Sequence, residues 1–277
     1  MTESVKSAKT SVTSASSAEA SSAEAAKICP FERLEQMRAT LPENPLVVAL
    51  IPALNEEDRI TQTVKAVQSI PQVGRVVVID DGSKDNTAQL AVDAGARTIR
   101  STRNVGKGPV LEHAAKQHED ADIILLLDAD LGDTAAQASL LLEPVLSGEL
   151  DMSIARFPKP TGKAGFGLVK NLARFEIRRS GGDDADFQAP LSGQRAITRN
   201  CLDSIRPFAR GYGVEVVLTA RALRKGYRVA EIETTMSHKA TGRTFRGFYH
   251  RGRQFRDVLG AVILLILKPV PRSERKK

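Results

Sequence analysis

The first half of the chain is a series of apolar runs of strand length, each closing on polar residues and followed by a stretch of helical character. Leu46 to Ile51 is apolar at every position and closes on Pro52. A run that is apolar throughout, rather than at alternate positions, predicts a strand buried on both faces, and so a parallel sheet covered by helices. Asn55 is placed to cap the next helix, with Glu56, Glu57 and Asp58 in its first turn, where the helix dipole favours negative charge. That helix is expected to reach about Ser69. The pattern repeats: Arg75 to Ile79 predicts strand two, about Asn86 to Ala94 a helix stopped by Gly95, Ala96 to Ser101 strand three, 109–118 a helix, and Ile123 to Leu127 strand four. Strands alternating with helices at this pace predict a doubly wound, mainly parallel α/β sheet that binds ligands at the carboxyl ends of its strands.

The polar residues fall at those ends. Asn55 and Glu56 follow strand one, Asp80 and Asp81 follow strand two, and Asp128 and Asp130 follow strand four. In a parallel sheet these ends face one crevice, so the six residues are expected to converge. The second half is less regular. Residues 158–193 are rich in Gly, Lys and Asp and read as a substrate loop, with Phe166 to Arg179 helix-like inside it. Gly213 to Arg224 predicts a helix, Arg228 to Ile232 a strand, and Arg246 to Leu267 a helix that is basic and then apolar. Phe31 to Thr40 predicts a short helix ahead of the first strand.

Composition refines this picture at the two ends. Residues 1–28 are Ser/Ala-rich, lack the apolar core of a signal peptide and read as a disordered tail. Cys29 and Cys201 show no metal or redox spacing, which suits free thiols in a reducing, cytoplasmic setting. The net charge of +7 is concentrated in residues 243–277, where ten Lys/Arg face Asp257 and Glu274, so residues 1–242 carry about −1. Such a segment suits an anionic partner. Gly260 to Leu267 is too short to cross a bilayer; it reads as a core-packing helix or as an interfacial one on the inner face of an anionic membrane.

The candidate chemistry follows from placement. Asp128-Ala129-Asp130, at a strand end, offers two carboxylates to a hard cation, Mg²⁺ or Mn²⁺, that would neutralise a leaving diphosphate. Asp80 or Asp81 is suited to a uracil N3–H or ribose hydroxyls. Gly106-Lys107-Gly108 offers backbone N–H groups and an ammonium at a helix start, without the spacing of a Walker loop. Glu215, behind the Gly211-Tyr212-Gly213 turn, is a candidate base or hydroxyl anchor. His238 is a candidate co-ligand of the metal, and Arg243 a phosphate contact.

Together these residues resemble a glycosyltransferase of the family 2 type. The resemblance runs from Leu46 to about Leu267 and rests on Pro52-Ala53-Leu54-Asn55-Glu56-Glu57, Ile79-Asp80-Asp81-Gly82-Ser83, Gly106-Lys107-Gly108, Asp128-Ala129-Asp130, Leu191-Ser192-Gly193 and Gly211-Tyr212-Gly213-Val214-Glu215, in that order. It implies a GT-A fold over 29–242, with a nucleotide-sugar half (46–133), a less regular acceptor half (134–242) and a C-terminal helical segment (243–277). It implies donor contacts at Pro52, Leu54, Glu56, Asp80, Asp81, Lys107 and Asp128, metal ligands at Asp130, His238 and Asp128, and acceptor contacts at Lys163, Ser192, Gly193 and Arg243. Glu215, Asp130 and Lys107 are then the expected catalytic set. Two branches share these motifs. Glucosyl-3-phosphoglycerate synthases use UDP-glucose and a phosphorylated acceptor; polyprenyl-phosphate sugar synthases work at a membrane face. The chain departs from the first where only Lys163 stands in place of an acceptor-binding Arg/Thr pair, and where Ala240 replaces an Asn.

The partners expected are a nucleotide-sugar, with a UDP-sugar ahead of GDP-mannose, an anionic acceptor, peripheral membrane contact through the C-terminal segment, and a second copy in a homodimer. A nucleotidyltransferase needs a Gly-rich basic loop after strand one, and a Rossmann dehydrogenase needs GxGxxG there; Pro52 to Glu57 is neither. A nucleic-acid-binding module built on the basic C-terminus is the non-enzymatic alternative, for which only Phe245, Phe248, Tyr249 and Phe255 supply interleaved aromatics. No nucleic-acid partner is expected on the leading reading.

Overall fold

A computed structural model describes residues 41–158, 168–182, 185–209, 211–238, 256–263 and 265–266, all within one unit, Ala39–Arg272. Elements follow in the order β1 (Val47–Ala53), α1 (Ile60–Gln68), β2 (Val73–Asp80), α2 (Thr87–Asp93), β3 (Arg97–Arg100), α3 (Lys107–Gln117), β4 (Ile123–Leu126), a 3₁₀ helix (Gly132–Ala138), α4 (Ser139–Leu146), β5 (Met152–Arg156), α5 (Leu168–Gly181), β6 (Arg195–Thr198), α6 (Arg199–Ile205), a 3₁₀ turn (Gly211–Gly213), α7 (Val214–Arg224) and β7 (Val229–Glu233). The seven strands form one sheet in the order β3-β2-β1-β4-β6-β5-β7. β1 to β4 are mutually parallel, β6 runs antiparallel to both its neighbours, and β5 is parallel to β7.

The continuous apolar strands divide their side chains between two cores, as strands buried on both faces must. Val48, Leu50, Val77, Ile79, Ile124 and Leu126 pack beneath α3, α6 and α7. Val47, Ala49, Ile51, Val76, Val78, Ile123 and Leu125 pack beneath α1, the 3₁₀ helix and α4. The mainly parallel α/β architecture expected from the sequence is therefore the one found.

Local differences have physical reasons. β1 does not stop at Pro52 but continues to Ala53. The Leu50 carbonyl accepts from Leu127 N at 3.2 Å on the β4 side, and β1–β4 pairing ends there. Pro52, two residues on, turns its missing donor toward the same vacated side, where proline is tolerated. Asn55 is not a helix cap. It sits at φ 57° in a loop, its N–H donates to Ser83 Oγ at 2.9 Å, and its Oδ1 accepts from Lys84 N at 2.9 Å. Arg59 takes the N-cap place, and Glu56, Glu57 and Asp58 precede α1 rather than forming its first turn. β5 and β6 lie in the stretch the sequence left irregular.

The C-terminal helical residues 256–263 and 265–266 pack inward. Val258 and Val262 bury against Ala173 and Val216, and Ala261 and Leu265 against Val217 and Ala220. Arg224 donates to the Leu265 carbonyl at 3.0 Å and pairs with the fully buried Glu176. Their core-packing reading holds for these residues, with Ile263 and Ile266 left exposed. Among the described residues no helix is long and apolar enough to cross a membrane. The expected elements at Phe31 to Thr40 and at 246–255 lie outside the described residues, as do Lys163 and Arg243.

Candidate active site

The carboxyl ends of β1 and β2 are zipped into one double loop. Besides the Asn55 contacts, Glu56 N donates to Thr87 Oγ1 at 2.8 Å and Asn86 N to Glu57 Oε2 at 3.1 Å. Pro52 and Glu56 are part-exposed on this loop and Leu54 is exposed. Asp80 and Asp81 do not stand open beside them. Asp80 is fully buried, with Oδ1 accepting from Ser83 N at 2.9 Å and Arg100 Nε 3.1 Å from Oδ2. Asp81 accepts from Val105 N and Gly106 N, both at 2.8 Å. Their first task is thus to brace the loops that lead into α3.

Asp81 delivers Lys107 to the first position of α3. The Lys107 ammonium lies 2.7 Å from Asp128 Oδ1 and 3.0 Å from Glu215 Oε1, uniting three residues far apart in sequence. Burial pulls the ammonium's pKa down, but the two carboxylates outweigh it and raise the value above that of an ordinary lysine. The same pairing overcomes burial at Asp128 and lowers its pKa. Gln194 Nε2 donates to the second Asp128 oxygen. Asp128 is thereby held on both oxygens.

Two glycines permit this convergence. A Cβ at Gly108 would lie 1.8 Å from the Ala209 carbonyl oxygen, so only glycine lets α3 approach the backbone ahead of α7. Gly108→Ala is expected to destabilise the fold by about 1–3 kcal/mol through overpacking against main chain, measurable as a lower chemical-denaturation midpoint. A Cβ at Gly193 would meet Lys107 Nζ at 2.6 Å and the Asp128 oxygens at 3.1 and 3.2 Å. The first obstacle is the mobile end of a side chain, which moves cheaply. Gly193→Ala is therefore expected to keep its melting temperature while its turnover drops by about tenfold or more as the ammonium is displaced; a thermal melt beside a rate assay separates the two. The Gly211-Tyr212-Gly213 turn is packed just as closely by the C-terminal helix, with Asp257 Oδ2 2.3 Å from a Cβ at Gly211 and the Ala261 Cβ 2.4 Å from one at Gly213.

Asp130 lies one turn beyond Asp128. Thr63 Oγ1 fixes the turn between them, donating to the Ala129 carbonyl and accepting from Gly132 N, both at 2.8 Å. The segment after β7 is tied to the 3₁₀ helix by Thr235 N to Gln137 Oε1 at 2.6 Å and Ser237 N to Thr134 Oγ1 at 3.2 Å. These ties bring His238 Nδ1 to 2.9 Å from Asp130 Oδ1, and the Phe157 ring lies edge-on to the imidazole at 4.8 Å. Burial lowers the imidazole's pKa, and Asp130 more than reverses that, raising it. Asp128, Asp130 and His238 present ligand atoms all within 4.8 Å of one another. Two carboxylates and an imidazole suit Mn²⁺ or Mg²⁺. The 2.9 Å between His238 and Asp130 also matches adjacent ligands on an octahedral ion, about 3 Å apart for bonds of ~2.1 Å.

Lys107, Asp128, Asp130, Glu215, His238 and Gly193 are thus brought together. Ser192 is buried a layer deeper, its hydroxyl on Gln194 Oε1 at 3.1 Å, so it supports Gln194 rather than facing an acceptor. Gln194, Arg195 and Phe157 were not singled out from the sequence. Gln194 adjoins the Ser192-Gly193 pair that was, and Arg195 stands out as a charge beside the apolar Ala196-Ile197.

A family model described as Glycosyl transferase family 2 matches residues 48–208. The chain is 29% identical over 206 residues to Glycosyltransferase AglJ of Haloferax volcanii, covering 73% of this chain and 66% of that protein. It is 31% identical over 193 residues to the glucosyl-3-phosphoglycerate synthase of Mycolicibacterium paratuberculosis, covering 62% of this chain and 58% of that protein. The chain thus spans about three fifths to two thirds of the length of these curated relatives. The crystal structure of the Mycobacterium tuberculosis glucosyl-3-phosphoglycerate synthase with Mn²⁺, UDP-glucose and phosphoglyceric acid superposes with a TM-score of 0.65 at 26% identity, over 86% of this chain and 84% of that one.

Proposed function

The chain belongs to glycosyl transferase family 2, and from that membership we propose that it transfers glucose from UDP-glucose to a small phosphorylated acceptor with the help of Mg²⁺ or Mn²⁺. The observation that carries the proposal is the convergence of Lys107, Asp128, Asp130, Glu215 and His238 at the carboxyl end of the sheet. The relatives described as glucosyl-3-phosphoglycerate synthases, one of them solved with the donor, Mn²⁺ and phosphoglyceric acid, support the substrate pair.

Asp130 and His238, with Asp128 beside them, are the residues that would hold the metal. Bound there, the ion supplies positive charge against the diphosphate. The Lys107 ammonium supplies a second, preorganised charge where the leaving oxygen gains negative charge, a kind of stabilisation that commonly dominates catalysis. Glu215 and Asp128, the latter braced by Gln194, hold that ammonium in place. The double loop of Pro52–Glu57 and Asp80–Ser83 forms the wall for the nucleoside. Glu215 holds Lys107 from the acceptor side; an ionised phosphate or carboxylate oxygen attacks with no proton to lose, whereas the proton of an attacking acceptor hydroxyl passes to the departing diphosphate or to Glu215. Gly193 lines the space between, and Lys163 and Arg243 are proposed as further acceptor contacts.

UDP release with Mn²⁺ and UDP-glucose, measured over a panel of phosphorylated acceptors, tests this reading. Acceleration by 3-phosphoglycerate or a similar small phosphate is expected. Acceleration only by a polyprenyl phosphate would move the acceptor to a lipid, and no acceleration by any member would overturn the assignment.

A further inference from the structure

The roles above leave Arg195 without a task. Among the described residues it is the largest fully buried side chain, at 1% exposure, and it begins β6 opposite Leu126 and Ile154. Its hydrogen bonds go to neutral groups. Nη2 donates to the Ser192 carbonyl; Nη1 donates to the Glu215 carbonyl at 3.4 Å and to Thr219 Oγ1 at 3.3 Å, and lies 3.9 Å from Met152 Sδ. Nε has no partner. A buried guanidinium with only neutral contacts is costly to fold around, and an apolar side chain would fill the same slot without that cost. Burial draws its pKa down to about 10, while the nearby Glu215 and Asp128 carboxylates pull the other way, so it stays charged at neutral pH.

What the guanidinium touches explains its presence. The Ser192 carbonyl leads directly into Gly193 and Gln194, which wall Lys107 and hold Asp128. The Glu215 carbonyl belongs to the residue whose carboxylate holds Lys107. Thr219 Oγ1, which accepts from Arg195, also donates to that carbonyl at 2.9 Å. One planar fork therefore joins the backbone that delivers Gln194, the partner of Asp128, to the backbone that delivers Glu215, a partner of Lys107. A lysine in this place has one compact ammonium and cannot spread over the same acceptors.

We infer that Arg195 is the positioning residue of the site, setting Gln194 and Glu215 about the Lys107–Asp128 pair from beneath and never touching substrate. The inference rests on the activity proposed above. It is tested with Arg195→Lys, which keeps the charge, and Thr219→Val, which keeps the volume and removes one arm of the link. Turnover, UDP-glucose affinity with Mn²⁺ by calorimetry, melting temperature and amide hydrogen exchange are measured on each. Turnover is expected to fall about a hundred-fold in Arg195→Lys and about tenfold in Thr219→Val, with donor affinity within about threefold of wild type, because misplacing a catalytic group acts on the rate rather than on binding. Unchanged turnover in both variants, or turnover and affinity falling by the same factor, would overturn it. Should Arg195→Lys fail to fold, Thr219→Val alone decides. If the wild type neither binds UDP-glucose nor transfers from it, the proposed activity is what fails. Hydrogen exchange then judges Arg195: faster exchange confined to residues 192–195 and 213–219 in Thr219→Val supports the positioning role, and unchanged exchange there overturns it.

Discussion

Asp130→Ala is expected to lower glucosyl transfer by about a thousand-fold or more, roughly 4 kcal/mol of transition-state stabilisation, while leaving the fold intact. Asp130 is the carboxylate of the aspartate pair with an oxygen that takes no donor among the described residues, whereas Asp128 is held by Lys107 and Gln194. It is part-exposed on a turn fixed by Thr63, so its side chain contributes little to packing. Removing it leaves His238 without its partner at the same time. The variant should therefore melt near the wild-type temperature and lose the rise in melting temperature that Mn²⁺ with UDP gives the wild type, because only ligand bound to the native state shifts that equilibrium. Full transfer activity in Asp130→Ala would contradict the role given to it.

Lys107→Met is expected to cost about a hundred- to a thousand-fold in turnover, ~3–4 kcal/mol, the range seen when one preorganised donor is removed from a developing negative charge. Here the loss has two parts. The diphosphate loses a cation, and Asp128 and Glu215 lose the group that both of them face at 2.7 and 3.0 Å. Two carboxylates left facing one another without the ammonium repel, and that repulsion also opposes an anionic donor. Lys107→Arg should not restore the rate. The ammonium is already so close to Gly193 that a single Cβ there would lie 2.6 Å from it, and the broader guanidinium has no room on that side. Steady-state kinetics of both variants check this; Lys107→Met with wild-type turnover would contradict it.

The sheet was readable because its central strands carry nothing polar. Val47 to Ile51 and Ile123 to Leu127 serve two cores at once, and a strand with both faces buried leaves a continuous apolar run. β5 and β6 escaped because they are short and polar in part: Ser153 hides its hydroxyl on the Leu141 carbonyl at 2.6 Å, and Arg195 hides a charge. Such residues read as loop until their partners are known. Asn55 misled for a related reason. A side chain suited to capping a helix is equally suited to bridging two loops, and only the tertiary contact with Ser83 and Lys84 decides. Asp80 and Asp81 had the same ambiguity, and the fold uses them first to hold Ser83 and Gly106.

Placement at a strand end drew Asp128 and Asp130 to notice, the Gly106-Lys107-Gly108 helix start drew Lys107, the Gly211-Tyr212-Gly213 turn drew Glu215, and the end of a later strand drew His238. Sequence separation hid how they meet. Asp130 and His238 are brought together by Thr134 and Gln137 binding the chain after β7, contacts with no local signature. Gln194 was hidden for the same reason, since its amide serves a carboxylate on another strand.

The central claim is that these residues hold a nucleoside diphosphate-sugar through a divalent metal. It is tested most directly by calorimetric titration of UDP-glucose into the whole chain, with Mn²⁺ and then with chelator, beside the same titrations of Asp130→Ala. The account predicts binding that needs the metal and is lost in Asp130→Ala. Absence of UDP-glucose binding by the wild type, or binding unaffected by both chelator and the substitution, would contradict it.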